Sequence, residues 1–278
     1  MTRRLIGRRS WLLAAIAGLP LAAMAQPAAL RVGLVPYLST RAMLNVYEPM
    51  RKHLETQLGR RVEFYTAAGF GALLDNARDP GQPFTLMPVH LALIAIEDWG
   101  FTLVARSMTE STIHIWGPRR LATGGMAAGR GQRVAVIDPM SIVTMSFYRW
   151  RAAEKLDDSV RALVYPSLNS ALLALANGEV DMVNGAQGQM REAMGVDTSD
   201  LAPIVQVGSV TTPAFVAHPD APAADVAAFR RALLSLRSTA GTGGASQAVF
   251  VDGSAADLRP FSDFARAARR MLAEGRPR

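Results

Sequence analysis

The segment at residues 138–144 carries the residue types of an anion-binding turn. It follows a short apolar run and precedes a run with helical spacing, which predicts a strand that passes into a helix. The first amides of a helix have no partner inside the helix and lie at the positive end of its dipole. The hydroxyls of Ser141 and Thr144 and the amides of Ile142 and Val143 could therefore bind an oxyanion. The alternative is that Ser141 only caps its own helix, a common role of serine.

Three other predicted turns carry polar side chains that could act with this one. Tyr37 could form a wall of a cleft and Ser39 could donate to a ligand, or Ser39 could cap the next helix. His90 could donate to an anion, or it could be a structural histidine. Asn184 could contact a ligand, or it could belong to a plain Asn-Gly turn. All four turns follow predicted strands, and in α/β sheets such ends converge on a ligand site.

The elements that would position these residues alternate between strand and helix. Short apolar runs predict strands that include residues 30–35, 61–66, 84–87, 133–137 and 180–183. The runs between them mostly have helical spacing, and the Gly-rich residues 117–131 predict a loop. Two such series predict an α/β fold with two lobes, each a mixed sheet flanked by helices. We expect residues 30–113 and 212–278 in lobe 1, residues 114–211 in lobe 2, and a ligand cleft between them.

The sequence lacks the usual motifs of a catalytic or metal site. It has no Gly-x-Ser-x-Gly elbow and no phosphate loop of the Gly-x4-Gly-Lys-Ser/Thr type. It has no cysteine, and its four histidines are far apart without metal-ligand spacing. We therefore expect no catalytic residue, no metal ligand and no cofactor, and we predict a binding protein rather than an enzyme.

Residues 1–25 have the three parts of a secretory signal. A basic start is followed by an apolar stretch at residues 11–21 and by the small-x-small cleavage site Ala23-Met24-Ala25. Residues 8–12 also fit a twin-arginine pattern, so both the Sec and the Tat export routes stay open. No later apolar run reaches the roughly 18 residues that a membrane helix needs. The sequence predicts a periplasmic protein without stable membrane insertion.

The net charge of +7 could indicate a nucleic-acid partner, but its distribution argues against one. Four of the 30 basic residues lie in the predicted signal, which has no acidic residue. The remaining arginines are scattered among acidic residues rather than gathered in one run. We therefore expect a small anionic ligand, no nucleic acid, and a monomer.

Several segments resemble the periplasmic phosphate-, phosphite- and phosphonate-binding proteins, the PhnD-like group. They are residues 30–37, 47–55, 84–90, 134–141 and 175–181. The resemblance implies a two-lobed type II periplasmic binding protein that closes on its ligand and serves an ABC permease. It also implies that the Ser/Thr-rich start of a helix binds the phosphorus oxygens.

Carried onto this sequence, the resemblance places Ser141, Thr144 and the amides of Ile142 and Val143 at the oxyanion. Its tyrosine and histidine positions match Tyr37 and His90. Two departures concern the ligand. Two apolar residues stand inside the Ser/Thr run, and Asn184 stands where an acidic residue could meet a ligand amine.

The predicted function is the substrate-binding component of an ABC importer for a small oxyanion: phosphate, phosphite or a phosphonate. An alternative is a sensor of the same fold that signals to a membrane receptor or kinase. A third alternative is a periplasmic enzyme of the same fold. His90 is the first candidate for its titrating pair, but the sequence names no partner side chain.

Overall fold

The computed structural model describes residues 28–129, 132–193, 197–211, 213–236 and 249–275. The predicted signal at residues 1–25 lies outside them. In the described residues, two mixed sheets are flanked by helices, which confirms the predicted α/β class.

The elements fall into three stretches of chain. The first contains β1 (Leu30–Leu34), α1 (Thr40–Leu58), β2 (Val62–Thr66), α2 (Phe70–Ala77), β3 (Phe84–Met87), α3 (Val89–Trp99) and β4 (Thr102–Ser107). The second contains β5 (Glu110–Pro118), a 3₁₀ segment (Arg119–Gly129), β6 (Gln132–Val136), α4 (Ile142–Ala153), β7 (Val160–Val164), α5 (Leu168–Ala176), β8 (Met182–Ala186), α6 (Gln187–Glu192) and β9 (Leu201–Thr211). The third contains β10 (Ala214–Ala217), α7 (Ala223–Ser235), β11 (Phe250–Val251), a 3₁₀ segment (Ala255–Phe261) and α8 (Ser262–Ala273).

The first sheet has the order β11-β4-β10-β3-β1-β2. Strands β1, β2 and β3 are parallel, whereas β10 is antiparallel to both of its neighbours. This sheet therefore needs residues from both ends of the chain. The second sheet, β7-β6-β8-β5-β9, is built from one continuous stretch. We refer to the two sheets with their helices as the first and second lobes.

The chain crosses between the sheets twice. Strand β4 ends at Ser107 in the first sheet, and β5 begins at Glu110 in the second. Strand β9 returns beside β5, with Glu110 paired to Thr211. Ile113, expected in lobe 1, pairs with Ala186 and with Gly208 in the second sheet. The second sheet therefore begins ahead of the boundary predicted after residue 113, because β5 is one uninterrupted strand.

The observed strand β8 spans Met182–Ala186, which differs from the predicted strand at residues 180–183 followed by an Asn-Gly turn. Asn184 and Gly185 lie inside β8, where Asn184 pairs with Ile115 of β5. Strand β8 is buried and lies between β6 and β5. Pairing with the sheet outweighs the local turn preference of Asn-Gly. The stretch predicted as a loop at residues 117–131 likewise contains the end of β5 and the first 3₁₀ segment.

Candidate functional site

A cleft with a cavity of about 200 Å³ lies between the two lobes. The first lobe contributes Tyr37 after β1, Phe70 at the start of α2 and Pro88 before α3. The second lobe contributes Ser141 before α4 and Ala186 before α6. Helix starts from both lobes therefore face one cavity. The positive ends of their dipoles favour an anion there.

The start of α4 provides hydrogen-bond donors at the cavity wall. Ser141 is the N-cap residue and its side chain caps no amide. Ile142 and Val143, the first two helical residues, also line the cavity. Their amides make no hydrogen bond to any residue the structure describes, as the first turn of a helix requires. One hydroxyl and two amides are thus placed together for an oxyanion.

Thr144 and Asn184 support this turn and do not line the cavity. The Thr144 hydroxyl is buried and donates to the Ile137 carbonyl at 3.1 Å. The Asn184 amide nitrogen donates to the Val143 carbonyl at 3.0 Å. Both side chains hold the first turn of α4 from behind the cavity. Their placement does not support the sequence-based prediction that they contact the ligand.

Tyr37 lies where the sequence predicts a cleft wall, and it also bonds across the cleft. Its hydroxyl donates to Glu192 Oε2 of α6 at 2.5 Å. Burial, followed by the neighbouring Tyr47 and Glu192, raises the pKa of Tyr37 well above its ordinary value. Tyr37 therefore stays protonated and acts as a donor. Its bond joins the first lobe to the second.

Ser39 and His90, two other predicted ligand residues, lie outside the cavity lining. The Ser39 hydroxyl accepts from the Ala42 amide at 3.4 Å and so caps α1, as the alternative predicted. His90 is fully buried, and its Nε2 lies 3.0 Å from the Met140 carbonyl oxygen. Because a carbonyl only accepts, Nε2 carries the proton in this bond. Burial lowers the pKa of His90 to about 4, so the ring is neutral at pH 7.

The predicted ligand residues do not include the cavity residues of the crossings and of α6. Glu110 and Thr211 line the cavity from the two crossing strands. Gln187, Arg191 and Glu192 line it from α6. Asn184, which directly follows the predicted strand at residues 180–183, is not acidic. The acidic residue Glu192 lies at the end of the next helix, α6. The spacing of Gln187 and Arg191 by four residues is the available signal, because it puts them on one helix face.

Among the residues that the structure describes, four hydrogen bonds join the lobes in addition to the Tyr37 bond. The Leu168 amide donates to the Tyr37 carbonyl at 2.9 Å, and the Ser39 amide donates to Asn169 Oδ1 at 3.0 Å. The Phe70 amide donates to Asp138 Oδ2 at 2.9 Å. The His90 bond to Met140 is the fourth. The structure therefore shows the lobes in contact, with the cleft closed between them.

Metal clusters and membrane-spanning helices are both absent from the described part of the chain. No group of three or more His, Cys, Asp or Glu residues there could hold a metal ion. No helix in the same ranges has the length and apolar character to cross a membrane.

The sequence matches one protein family over most of its length. Residues 32–263 match the family described as "ABC transporter, phosphonate, periplasmic substrate-binding protein". No curated protein matches the sequence significantly.

Solved structures with the same fold include PhnD1, PA3383 and SsuA. PhnD1 from Prochlorococcus marinus, in complex with methylphosphonate, is 12% identical with a TM-score of 0.69, over 88% of this chain and 99% of that one. PA3383 from Pseudomonas aeruginosa, a binding protein component of an ABC phosphonate transporter, is 15% identical with a TM-score of 0.68, over 87% of each chain. The alkanesulfonate-binding protein SsuA from Xanthomonas axonopodis pv. citri, bound to MOPS, is 17% identical with a TM-score of 0.58, over 90% of this chain and 94% of that one. At these sequence identities, the similarity supports a shared fold alone.

Proposed function

Because this chain belongs to the family of periplasmic substrate-binding proteins of phosphonate ABC transporters, we propose that it captures a small phosphorus oxyanion for import. The ligand class is a phosphonate, phosphite or phosphate. The observation that carries this proposal is the start of α4, where the Ser141 hydroxyl and the amides of Ile142 and Val143 line the closed cavity.

The chemistry of this helix start suits a tetrahedral oxyanion. Oxygen atoms bound to phosphorus accept hydrogen bonds, and the N–H groups of Ile142 and Val143 donate to no described residue. The dipole of α4, a helix of 12 residues, places partial positive charge at the same point. Charge-assisted hydrogen bonds in a site without bulk water are stronger than neutral ones. The donors replace the water shell of the anion, and no covalent step is part of this proposal.

Closure of the lobes completes the proposed site. Pro88 and Phe70 of the first lobe face the α4 start across the cavity. An anion that bridges the gap favours the closed arrangement over an open one, as in other two-lobed binding proteins. The closed protein then presents its ligand to an ABC permease. We propose that export to the periplasm uses the signal expected at residues 1–25.

Titration calorimetry tests the ligand class. The purified mature protein is titrated with methylphosphonate, phosphite and phosphate, and with methanesulfonate as a matched anion that lacks phosphorus. We expect saturable one-to-one binding of at least one phosphorus anion and weaker binding of the sulfonate. Flat heats for all three phosphorus anions would contradict the proposal, and preference for the sulfonate would move the ligand class to sulfonates.

A further inference from the structure

Helix α2 receives its N-terminal cap from the opposite lobe. Its own N-cap residue, Gly69, has no side chain that could cap the helix. Instead the Asp138 carboxylate, which follows β6 of the second lobe, accepts from the Phe70 amide at 2.9 Å. The other carboxylate oxygen accepts from the Met140 amide at 2.8 Å within the second lobe. We call the bond between Asp138 and Phe70 the cross-lobe cap.

We propose that Asp138 is a positioning residue for ligand binding, because the cross-lobe cap forms only when the lobes close. An anionic side chain at a helix start is favoured by the unpaired amides and by the helix dipole. In an open arrangement this start has only water as a partner. Asp138 therefore adds stability to the closed state without contacting the ligand. The inference rests on the proposed function, in which closure captures the ligand.

The cap also bears on which helix start holds the ligand. Helices α2 and α4 both begin at the cavity, since Phe70 and Ser141 line it. Asp138 supplies a carboxylate to the first amide of α2, while the Ile142 and Val143 amides of α4 have no partner among the described residues. The carboxylate of Asp138 therefore disfavours an anionic ligand at the Phe70 amide.

Gly69 allows the cap to be removed without touching Asp138. A Cβ atom built at Gly69 would lie 2.9 Å from Asp138 Oδ2, and no other described atom outside its chain neighbours lies within 4 Å of it. The Gly69 backbone is extended, with φ −177° and ψ 176°, so alanine fits it without strain. Gly69→Ala therefore forces the Asp138 carboxylate to shift away from the Phe70 amide, which weakens the cross-lobe cap. Gly208→Ala is the matched control, because its Cβ would meet Ser146 at an ordinary 3.5 Å.

A double-mutant cycle on methylphosphonate binding tests the proposal. We expect Gly69→Ala to raise Kd about tenfold, through a faster off-rate with little change in on-rate, because the cap forms after encounter. Gly208→Ala should bind like the wild type. In an Asp138→Ala background, Gly69→Ala should have no further effect, since the obstructing carboxylate is gone. Equal affinities of the wild type and Gly69→Ala, or additive effects in the double variant, would overturn the proposal.

A distance measurement separates failure of the cap from failure of the proposed function. The chain has no cysteine, so spin labels attach only at Lys52→Cys in the first lobe and Leu173→Cys in the second. With a binding ligand, Gly69→Ala should show a smaller closed population than the wild type. If the wild type binds none of the phosphorus anions, the proposed function fails. The spin-label distances in the ligand-free protein then test whether the cross-lobe cap stabilises the closed state. A closed population that Gly69→Ala loses would support the cap; its absence from the wild type, or its persistence in Gly69→Ala, would overturn it.

Discussion

The three serine and threonine hydroxyl groups predicted to contact a ligand have different partners and therefore different roles. The Ser39 hydroxyl caps α1, and the Thr144 hydroxyl donates to the Ile137 carbonyl. The Ser141 hydroxyl lines the cavity and makes no hydrogen bond to a described residue. Of these three hydroxyls, only that of Ser141 is available to a ligand. The role of a hydroxyl thus depends on which acceptor the fold places beside it.

Ser141→Ala should weaken ligand binding and leave stability unchanged. Loss of one hydrogen bond to an anion corresponds to about a tenfold rise in Kd for the phosphorus anion that binds best. Because the Ser141 side chain caps no amide, the melting temperature should stay within about 1 °C of the wild type. Calorimetric titration and thermal unfolding measure the two quantities.

Ser39→Ala is the matched control for Ser141→Ala. It should lower the free energy of unfolding by about 0.5–1 kcal/mol, as the loss of a long N-cap bond does, with unchanged affinity. A loss of affinity in Ser39→Ala equal to that in Ser141→Ala would contradict the assignment of the two hydroxyls.

His90 should make the protein less stable in mild acid. Its pKa is about 4 in the folded protein because of burial, against 6.5 for the exposed imidazole. Between these values the unfolded chain binds a proton that the folded chain does not, so the free energy of unfolding falls as the pH falls from about 6.5 to 4. The loss from this group should reach about 3 kcal/mol. Denaturant unfolding at several pH values measures it.

His90→Gln provides the comparison for this pH dependence. Glutamine keeps a donor for the Met140 carbonyl and does not titrate in this range. The variant should therefore show a smaller decrease in the free energy of unfolding between pH 6.5 and 4. A decrease as large as that of the wild type would show that groups other than His90 cause the pH dependence.

At the scale of elements, the start of α4 is the feature that the sequence predicted best. An apolar strand, a turn with Asp138 and Ser141, and a helix are all local patterns, and the structure has each of them. The roles of Thr144 and Asn184 depend on what lies behind the helix. Thr144 reaches the end of β6, and Asn184 reaches α4 from β8. Those contacts depend on packing between elements, which local spacing does not contain.

Ile142→Pro should remove one amide donor from α4 and keep the helix. Proline is favoured at the first helical position, where its missing N–H has no helical partner. Ser141 has φ −65° and ψ 131°, which suits a residue before proline. Relative to Ile142→Ala, which also loses the side chain but keeps the amide, Kd should rise about tenfold. Circular dichroism checks the helix content, and equal affinities of the two variants would contradict a role for this amide.

At the scale of the whole molecule, the sequence predicted two lobes but not what joins them. Tyr37 was predicted as a cleft wall, and its partner Glu192 is 155 positions away. Ser39 and His90 were predicted as ligand residues because they follow strands, yet the bonds of Ser39 to Asn169 and of His90 to Met140 join the lobes. Both residues lie where the lobes make contact and outside the cavity lining. Only the closed arrangement distinguishes a ligand contact from a bond between lobes.

The position of β10 in the first sheet has a consequence for the order of folding. Strand β10 lies between β3 and β4, so β4 has no neighbour on that side until residues 214–217 are available. All five described strands of the second sheet lie within residues 110–211, ahead of β10 in the sequence. Because β4 pairs only with strands far along the chain, whereas the second sheet forms within one continuous stretch, we expect the second lobe to gain protection first. Pulse-labelled hydrogen exchange during refolding should show protection in β6 and β8 before β4, and earlier protection of β4 would contradict this order.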